Sequence, residues 1–539
     1  MNTIFEYQDV TYPAPAAGWV DGVYYPRREQ RSVGGGFVEE QDGLLLIRSR
    51  VWQEIEESGY GVYYYEESTR LTAVLEGSNY IVTAVFVNPT PQPYTFHIRV
   101  NGIVKEEALT VTPGEERKAV FTACMTDGTC EVCFAAGALS EIGSEVVTGR
   151  VFLKDITVVP EKERPKREKP CLYLVSDSTV QSYEKHFYPQ TGWGQVLYQF
   201  FRGAEEYREY PAKHSTYSLA RTYELPELVI ENRSIGGRSA RSFYDEGKLD
   251  QILEVICPGD YMFVQFAHND ATAIRPNRYI APEEFPFFIQ RYIDACRRRD
   301  VRCVLVTPVA MRVLGEDGRF SICFGPYREK MIEMAGQQGL PLLDLGGRST
   351  AYLNQIGAEE SKNLYLWFDE GEYPDGAYAA GVSDKAHLQE YGAKVYANMV
   401  VQMLLEYNGD HSLDGLKMLA APMREIEKPV RRADVPDQEA KPADMVKNFV
   451  VQEISVENGR GSFLLNWTPV EGAAAYHVYA KKKADLTFEI VRTVTKEEKE
   501  SAATLPFAAE AGYLWEYYVT AVFANGSEGH ASRKADVQL

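Results

Sequence analysis

The sequence lacks the apolar features that would tie it to a membrane. Its first residues, MNTIFEYQDVTYP, contain no basic stretch followed by an apolar run, and no segment approaches the length of a membrane span. These absences lead us to expect a cytoplasmic protein, or a secreted one if a leader is missing from the sequence.

Positive charge is also in short supply. The 57 Lys and Arg residues face 77 Asp and Glu residues, so the formal net charge is -20. Nucleic acids and anionic membranes bind proteins largely through basic residues that neutralise phosphate, and this chain would be repelled by both. We therefore expect no nucleic-acid partner and no membrane partner, and a neutral or weakly acidic ligand instead.

Cysteine is scarce and scattered. The eight cysteines show no repeated spacing, and several lie in apolar runs such as VRCVLV, which predicts buried, reduced thiols. Cys130 and Cys133 form a CxxC, but there is no second pair. We therefore predict a structural role for this pair and no metal site.

The 539 residues exceed what one hydrophobic core usually holds, so several domains are expected. Short alternating strands with turn residues between them fill the first part, and strands that alternate with helices follow a charged tract with two prolines, EKERPKREKP. The second pattern predicts a parallel sheet between helices, with one helix near GWGQVLYQFF and a closing helix over 388–407. The predicted order is a β-sandwich over 1–160, an exposed linker over 161–170, an α/β domain over 171–407, a linker over 408–446 and a second β-sandwich over 447–539.

One serine stands where an α/β domain presents its ligands. The strand CLYLV runs into SDSTV, which places Ser178 at the carboxyl end of the first strand. A serine needs a base, and the base needs a group that orients it. His387 lies three residues after Asp384, and on a turn or helix start that spacing lets the carboxylate reach one ring nitrogen while the other faces Ser178.

Acyl transfer also needs hydrogen-bond donors for the developing oxyanion. Two segments at strand ends supply candidates: the glycines of NRSIGGRSARSF, whose amides can approach a reacting atom closely, and Asn269 in QFAHND, whose side-chain amide can donate. Each segment is commonplace by itself. Their order along one α/β unit brings them all to the same edge of the sheet.

Together these segments resemble the SGNH hydrolases, and more closely the rhamnogalacturonan acetylesterase group, over residues 170–407. The family motifs GDST, GHND and DxTH correspond to SDST, AHND and DKAH here, and a glycine before Arg-Ser corresponds to Gly237. The GWG at 192–194 and the GEYPDG at 371–376 are also similar to the acetylesterase group.

The resemblance implies a flavodoxin-like α/β domain with Ser178, Asp384 and His387 as a catalytic triad. It implies an oxyanion hole made of the amides of Ser178 and Gly237 and the side chain of Asn269. The expected function is removal of O-acetyl groups from pectic, rhamnogalacturonan-type saccharides of the plant cell wall, without a metal or organic cofactor.

The sequence departs from the family pattern at Ser176, Ala267 and Ala386, which replace glycine, glycine and threonine. These small-for-small changes affect the expected rate and substrate size more than the reaction type. The side chains expected to contact substrate are Trp193, Arg238, His268, Trp367 and Tyr373. The tryptophans in that set are as compatible with plain core positions as with stacking on a sugar.

The flanking domains carry weaker resemblances. The first, with NPTPQPYTFHIRVNG, is similar to galactose-binding-like jelly rolls, and either sugar binding or packing that shapes one wall of the cleft fits it. The last, with Trp467 and YYVTAVFANGSEG, resembles a fibronectin type III module and is expected to space or pack. Two alternative functions stay open: an esterase for acetylated xylan or mannan oligosaccharides, and a carbohydrate-binding scaffold that has lost catalysis.

Overall fold

A computed structural model describes residues 6–14, 31–32, 38–41, 43–55, 62–275, 278–373, 377–428, 443–457, 459–485 and 487–539. Residues 374–376 of the GEYPDG motif and 429–442 of the second predicted linker lie outside this description. The protein is multidomain: an α/β unit stands between two units made almost entirely of strands. Within the described ranges, no helix is long and apolar enough to cross a membrane.

In the described part of the first unit, eleven strands pair antiparallel into one sheet. Along β6, side chains on alternate positions are buried, as a half-buried strand requires. The sheet folds over on itself, because Phe86 and Phe96 lie on strands that do not pair and yet have ring centroids 4.6 Å apart. The strands are β1 Glu6–Ala14, β2 Arg31–Ser32, β3 Val38–Gln41, β4 Leu44–Ile55, β5 Val62–Val74, β6 Asn79–Val87, β7 Tyr94–Val100, β8 Ile103–Val111, β9 Glu116–Cys124, β10 Thr129–Ala136 and β11 Val147–Pro160.

The α/β unit contains a seven-stranded sheet in the order β13-β14-β15-β12-β16-β17-β18, in which the five strands from β15 to β18 are parallel. A separate antiparallel pair, β19 and β20, follows. The strands are β12 Cys171–Val175, β13 Arg208–Pro211, β14 Arg221–Glu224, β15 Val229–Asn232, β16 Tyr261–Val264, β17 Arg302–Val306, β18 Leu342–Leu343, β19 Tyr365–Phe368 and β20 Val382–Leu388.

Helices cover both faces of this sheet, which explains why its central strands β12 and β16 are buried at every position. Along β12, Leu172 and Leu174 point into one core, and Tyr173 and Val175 point into the other. The parallel-sheet prediction for the central domain is therefore confirmed. The helices are α1 Trp193–Val196, α2 Ala240–Asp245, α3 Lys248–Leu253, α4 Phe285–Arg297, α5 Gly325–Gln338, α6 Leu345–Glu360, α7 Glu390–Glu406 and α8 Asp414–Leu419.

The last unit has two antiparallel sheets, β21-β22-β25 and β24-β23-β26-β27, around a core that contains Trp467. Its elements are β21 Lys447–Glu457, β22 Arg460–Thr468, β23 Ala473–Lys482, β24 Glu489–Thr495, α9 Lys496–Ser501, β25 Leu505–Glu510, β26 Leu514–Phe523 and β27 Ala535–Gln538.

Three local features differ from the sequence predictions. The helix expected near GWGQVLYQFF is only α1, followed by a 3-10 turn, because Phe200 and Phe201 pair instead with Ala420 and Ala421. That pairing places α8, inside the predicted second linker, against the α/β core. The segment predicted as an exposed linker also makes contacts: Arg164 donates hydrogen bonds to the carbonyls of Leu253 and Ile256.

All eight cysteines are free thiols, as predicted. Seven are buried and Cys323 is partly exposed. Burial raises the pKa of Cys130 to about 12, so this thiol stays protonated near neutral pH.

Candidate active site

Ser178 is presented by a tight turn at the end of β12. Asp177 forms this turn: its Oδ1 accepts hydrogen bonds from the amide of Thr179 at 2.9 Å and from the Thr179 hydroxyl at 2.8 Å. The Asp177 carbonyl accepts from the amides of Val180 and Gln181. With Asp177 facing inward to hold the turn, Ser178 is left half-buried at the carboxyl edge of the sheet.

The structure brings together the three residues predicted as a triad. The Ser178 hydroxyl lies 3.0 Å from Nε2 of His387, and Nδ1 of His387 lies 2.7 Å from Oδ2 of Asp384. Asp384 and His387 lie on β20, not on a turn or helix start as expected. They nevertheless meet because the other carboxylate oxygen of Asp384 accepts hydrogen bonds from the backbone amides of Ala386 and His387.

Asp384 is held in its charged form. Burial by itself would raise its pKa, but hydrogen bonds from the His387 ring and from two backbone amides lower the pKa to about 2. A carboxylate that stays ionised at neutral pH can keep the proton of His387 on Nδ1 and leave Nε2 free to accept one.

Two backbone amides near the serine are available as donors. In the described part of the chain, neither the amide of Ser178 nor that of Gly237 donates a hydrogen bond. Gly237 has a φ of 75°, in the left-handed region that favours glycine, and the loop is held by the Gly236 amide donating to Oε1 of Gln181 at 2.6 Å. Asn269 donates from Nδ2 to the Arg238 carbonyl at 3.0 Å, which fixes its amide beside the same loop.

Arg278 covers Gly237, a contact that the sequence did not predict. A methyl group built on Gly237 would come within 3.0–3.2 Å of three guanidinium atoms of Arg278. An alanine at this position would displace the Arg278 guanidinium by a few tenths of an ångström, so the glycine is needed mainly for its conformation.

Two residues expected to contact substrate are core residues instead, and for them the prediction is wrong. Trp193 is 1% exposed and donates from Nε1 to Oε1 of Gln265 at 3.1 Å, so its ring cannot stack on a sugar. Arg238 is 3% exposed and pairs with Glu246 at 3.0 Å, so it braces the Gly237 loop from inside.

The other three expected contacts are partly exposed. The guanidinium of Arg312 covers one face of the Trp367 ring, 4.2 Å from its centroid. Tyr373 packs edge-on against Tyr188, and Nε2 of His268 lies 3.0 Å from the Val309 carbonyl. Substrate contact by Trp367, Tyr373 and His268 stays a prediction.

Two tyrosines lie beside the triad that sequence patterns did not reveal. Tyr183 donates its hydroxyl to the Ser178 carbonyl at 2.7 Å. Tyr378 donates to Gln190, and the Asp384 charge contributes, after burial, to the raised pKa of its hydroxyl. Both belong to loops without periodicity, so only the folded arrangement reveals them.

Among the described residues, no group of three or more His, Cys, Asp or Glu side chains is arranged to hold a metal ion.

No protein-family model matches the chain. Curated relatives do. Rhamnogalacturonan acetylesterase RhgT of Bacillus subtilis (strain 168) is 32% identical over 240 residues, which are 44% of this chain and 91% of that protein. A rhamnogalacturonan acetylesterase of Emericella nidulans is 47% identical over 235 residues, which are 40% of this chain and 82% of that protein.

The chain belongs to the rhamnogalacturonan acetylesterase family. It is a serine esterase of the SGNH type, as the sequence motifs predicted.

The three departures of this rhamnogalacturonan acetylesterase from the family motifs have different structural consequences. The Ser176 hydroxyl accepts a hydrogen bond from Gln265 at 3.2 Å, and the Ala386 amide binds Asp384, so both fit their places. Ala267 is fully buried with a φ of 139°, a conformation that an alanine adopts at a cost of about 1 kcal/mol or more. Backbone strain is therefore stored directly before His268 and Asn269.

Proposed function

We propose that this esterase removes O-acetyl groups from rhamnogalacturonan-type pectic saccharides, with Ser178 as nucleophile, His387 as base and Asp384 as the group that orients the base. The observation that carries the mechanism is the continuous chain of hydrogen bonds from Ser178 through His387 to Asp384, at 3.0 and 2.7 Å. The names of the curated relatives support the choice of sugar.

The reaction begins when Nε2 of His387 takes the hydroxyl proton of Ser178. The serine oxygen attacks the acetyl carbonyl carbon, and the carbonyl oxygen becomes an oxyanion that the amides of Ser178 and Gly237 and the Asn269 side chain stabilise. His387 then returns its proton to the leaving sugar oxygen, and a sugar hydroxyl departs. Water attacks the acetyl-enzyme in the same way, and acetate leaves.

We propose that the folded-over first unit is a jelly roll of the galactose-binding-like kind. Its continuous antiparallel path of strands and its core between the two halves support this assignment. We propose a fibronectin type III-like fold for the last unit, supported by its pair of three- and four-stranded sheets. The cellular compartment stays a prediction.

Acetate release from acetylated rhamnogalacturonan, xylan and mannan oligosaccharides, measured side by side, tests the function. Ser178→Ala should lower kcat roughly ten-thousand-fold or more, because a triad without its nucleophile retains only binding and oxyanion stabilisation. Ser144→Ala, an exposed serine of the first unit, is the matched control and should leave the rate unchanged.

The substrate panel separates the sugar from the chemistry. A dominant response to the pectic substrate supports the proposal, and a dominant response to xylan or mannan leaves the mechanism but replaces the sugar. No release from any of these substrates, nor from a small aryl acetate, would reject catalysis and favour a binding scaffold.

A further inference from the structure

The last unit packs against the segment that follows the nucleophile. The ring of His186 stacks on Tyr518 with centroids 5.6 Å apart and planes 23° apart, and Tyr188 meets His530 edge-on at 4.3 Å. The amide of Glu209 donates to the carbonyl of Asn525 at 2.9 Å. The C-terminal unit therefore packs on the segment that follows Ser178 and on the outer strand β13.

Two adjoining cavities open along this contact, with volumes of about 220 and 280 Å³. Residues of both units line each cavity, and five side chains line both. Together they fall within the size range of sites for small ligands. The shared residues are Tyr183, Glu184, Lys185, Glu209 and Glu528.

Glu184 is the distinctive member of this lining. Within the described residues its carboxylate has no hydrogen-bond or ion-pair partner, although Glu528 on the facing wall is bound by Tyr479 and Thr520. Burial raises the pKa of Glu184 to about 7. The charges of Arg221 and Lys481 offset this shift only in part, and a ligand that donates hydroxyl groups to the carboxylate would stabilise its charged form further.

The rest of the lining suits a sugar. Tyr183, Tyr188, Tyr479 and Phe488 line the cavities with aromatic surface, and the tyrosines add hydroxyl groups, a combination that fits the alternating CH and OH groups of a pyranose. Acidic side chains outnumber basic ones, so a uronate carboxylate would be repelled. The acidic lining residues are Glu184, Glu209, Glu390, Asp444, Glu489 and Glu528, against Lys185, Arg221 and His530.

Tyr183 separates the cavities from the nucleophile. Its side chain lines both cavities, and its hydroxyl donates to the Ser178 carbonyl at 2.7 Å. A saccharide with its acetylated unit at Ser178 therefore has a further site within reach along the same chain.

We propose that the cavities between the α/β unit and the C-terminal unit bind a neutral sugar unit of the substrate, beyond the acetylated one. This inference rests on the proposed function and makes the C-terminal unit part of the substrate site. The 240 residues matched in RhgT make up 91% of that protein, so RhgT is too short to contain counterparts of all three units.

Kinetics on substrates of different length test the proposal, with acetylated rhamnogalacturonan oligosaccharides of increasing length and a small aryl acetate, all at pH 8. Glu184→Gln should lower the ratio of kcat/KM for long oligosaccharides to that for aryl acetate about tenfold, through KM, because a charge-assisted hydrogen bond becomes a neutral one. Phe488→Ala, on the C-terminal wall, should lower the same ratio. Glu316→Gln, an exposed carboxylate away from both cavities, is the matched control.

A ratio within twofold of wild type in both variants would overturn the proposal, even if acetate release supports the proposed function. If the wild type releases no acetate from oligosaccharides, binding is measured directly by calorimetry. Deacetylated oligosaccharide should bind to the Ser178→Ala protein, and the double variant Ser178→Ala with Glu184→Gln should bind it about tenfold more weakly. No binding to Ser178→Ala protein would also overturn it. Melting curves of each variant exclude misfolding as the cause.

Discussion

The two flanking units contact opposite edges of the central sheet. The N-terminal unit meets residues just before the strands begin: Arg299, which precedes β17, donates to the carbonyls of Met125 and Ser78, and Lys105 pairs with Asp250 of α3 at 2.9 Å. The C-terminal unit meets the segment just after β12 ends, mainly through aromatic rings. Because parallel strands present ligands at their carboxyl ends, the proposed sugar site lies on the C-terminal side of this contrast.

This contrast bears on roles that the sequence left open. The N-terminal unit packs on the α/β unit, one of its two expected roles, and sugar binding by it stays a prediction. The C-terminal unit, expected to space or pack, packs against the segment that follows the nucleophile. We therefore expect changes at the amino edge to alter stability and changes at the carboxyl edge to alter activity.

A matched pair of glycines gives the largest expected difference. Gly237→Ala, at the carboxyl edge, should lower kcat a hundredfold or more, because its φ of 75° is unfavourable for alanine and the Gly237 loop would shift to relieve it. Gly247→Ala, at the amino edge, also has a left-handed φ of 71° and would meet Ile103 of the N-terminal unit. It should reduce stability without changing kcat, and steady-state kinetics with thermal melting compare the two. An equal loss of kcat in both variants would contradict the expected difference between the two edges of the sheet.

Arg299→Ala should be the most destabilising of the other changes, by roughly 2 to 4 kcal/mol. The side chain is buried, and its loss removes hydrogen bonds that join the α/β unit to the Met125 and Ser78 carbonyls of the N-terminal unit. Urea unfolding measures the effect, and kcat on an aryl acetate should stay at the wild-type value below the transition. A drop in kcat without loss of stability would contradict a bracing role.

Glu184→Gln should change stability in a pH-dependent way. Burial raises the pKa of Glu184 from 4.5 to about 7 in the folded protein. The wild type therefore loses folding stability relative to the variant as the pH rises from about 4.5 to about 7. The variant should match wild type at pH 4 and exceed it at pH 8 by roughly 1 to 3 kcal/mol. Melting curves at both pH values test this, and an equal gain at pH 4 would point to another cause.

Ala267→Gly should have the smallest effect, a gain of about 1 kcal/mol or less. It relieves the φ of 139°, partly offset by the greater freedom of glycine in the unfolded chain. Asp300→Gly is the amino-edge control, because its φ of 51° is one that Asp tolerates well, and it should gain less. Melting temperatures rank the pair.

The sequence predicted the site better than its surroundings. Ser178, Gly237 and Asn269 follow the ends of β12, β15 and β16, and strand ends of a parallel sheet converge by topology. His387 was found instead by its three-residue spacing from Asp384. Trp193 carries no sequence mark that separates a core ring from an exposed one. Tyr183 and Glu184 acquire their environment from residues three hundred positions away, and no local pattern encodes such contacts.

The cysteines are distributed unevenly over the three units, so a thiol-reactive reagent would label the units to different extents. Three buried thiols lie in the N-terminal unit and four in the α/β unit, which also contains the partly exposed Cys323. The last hundred residues contain no cysteine. Brief labelling with a thiol-reactive reagent at increasing denaturant concentrations, read by mass spectrometry, would therefore show separately at which concentration each of the first two units unfolds. Unfolding of the C-terminal unit would not be detected by this labelling, and the partly exposed Cys323 should react already in the folded protein.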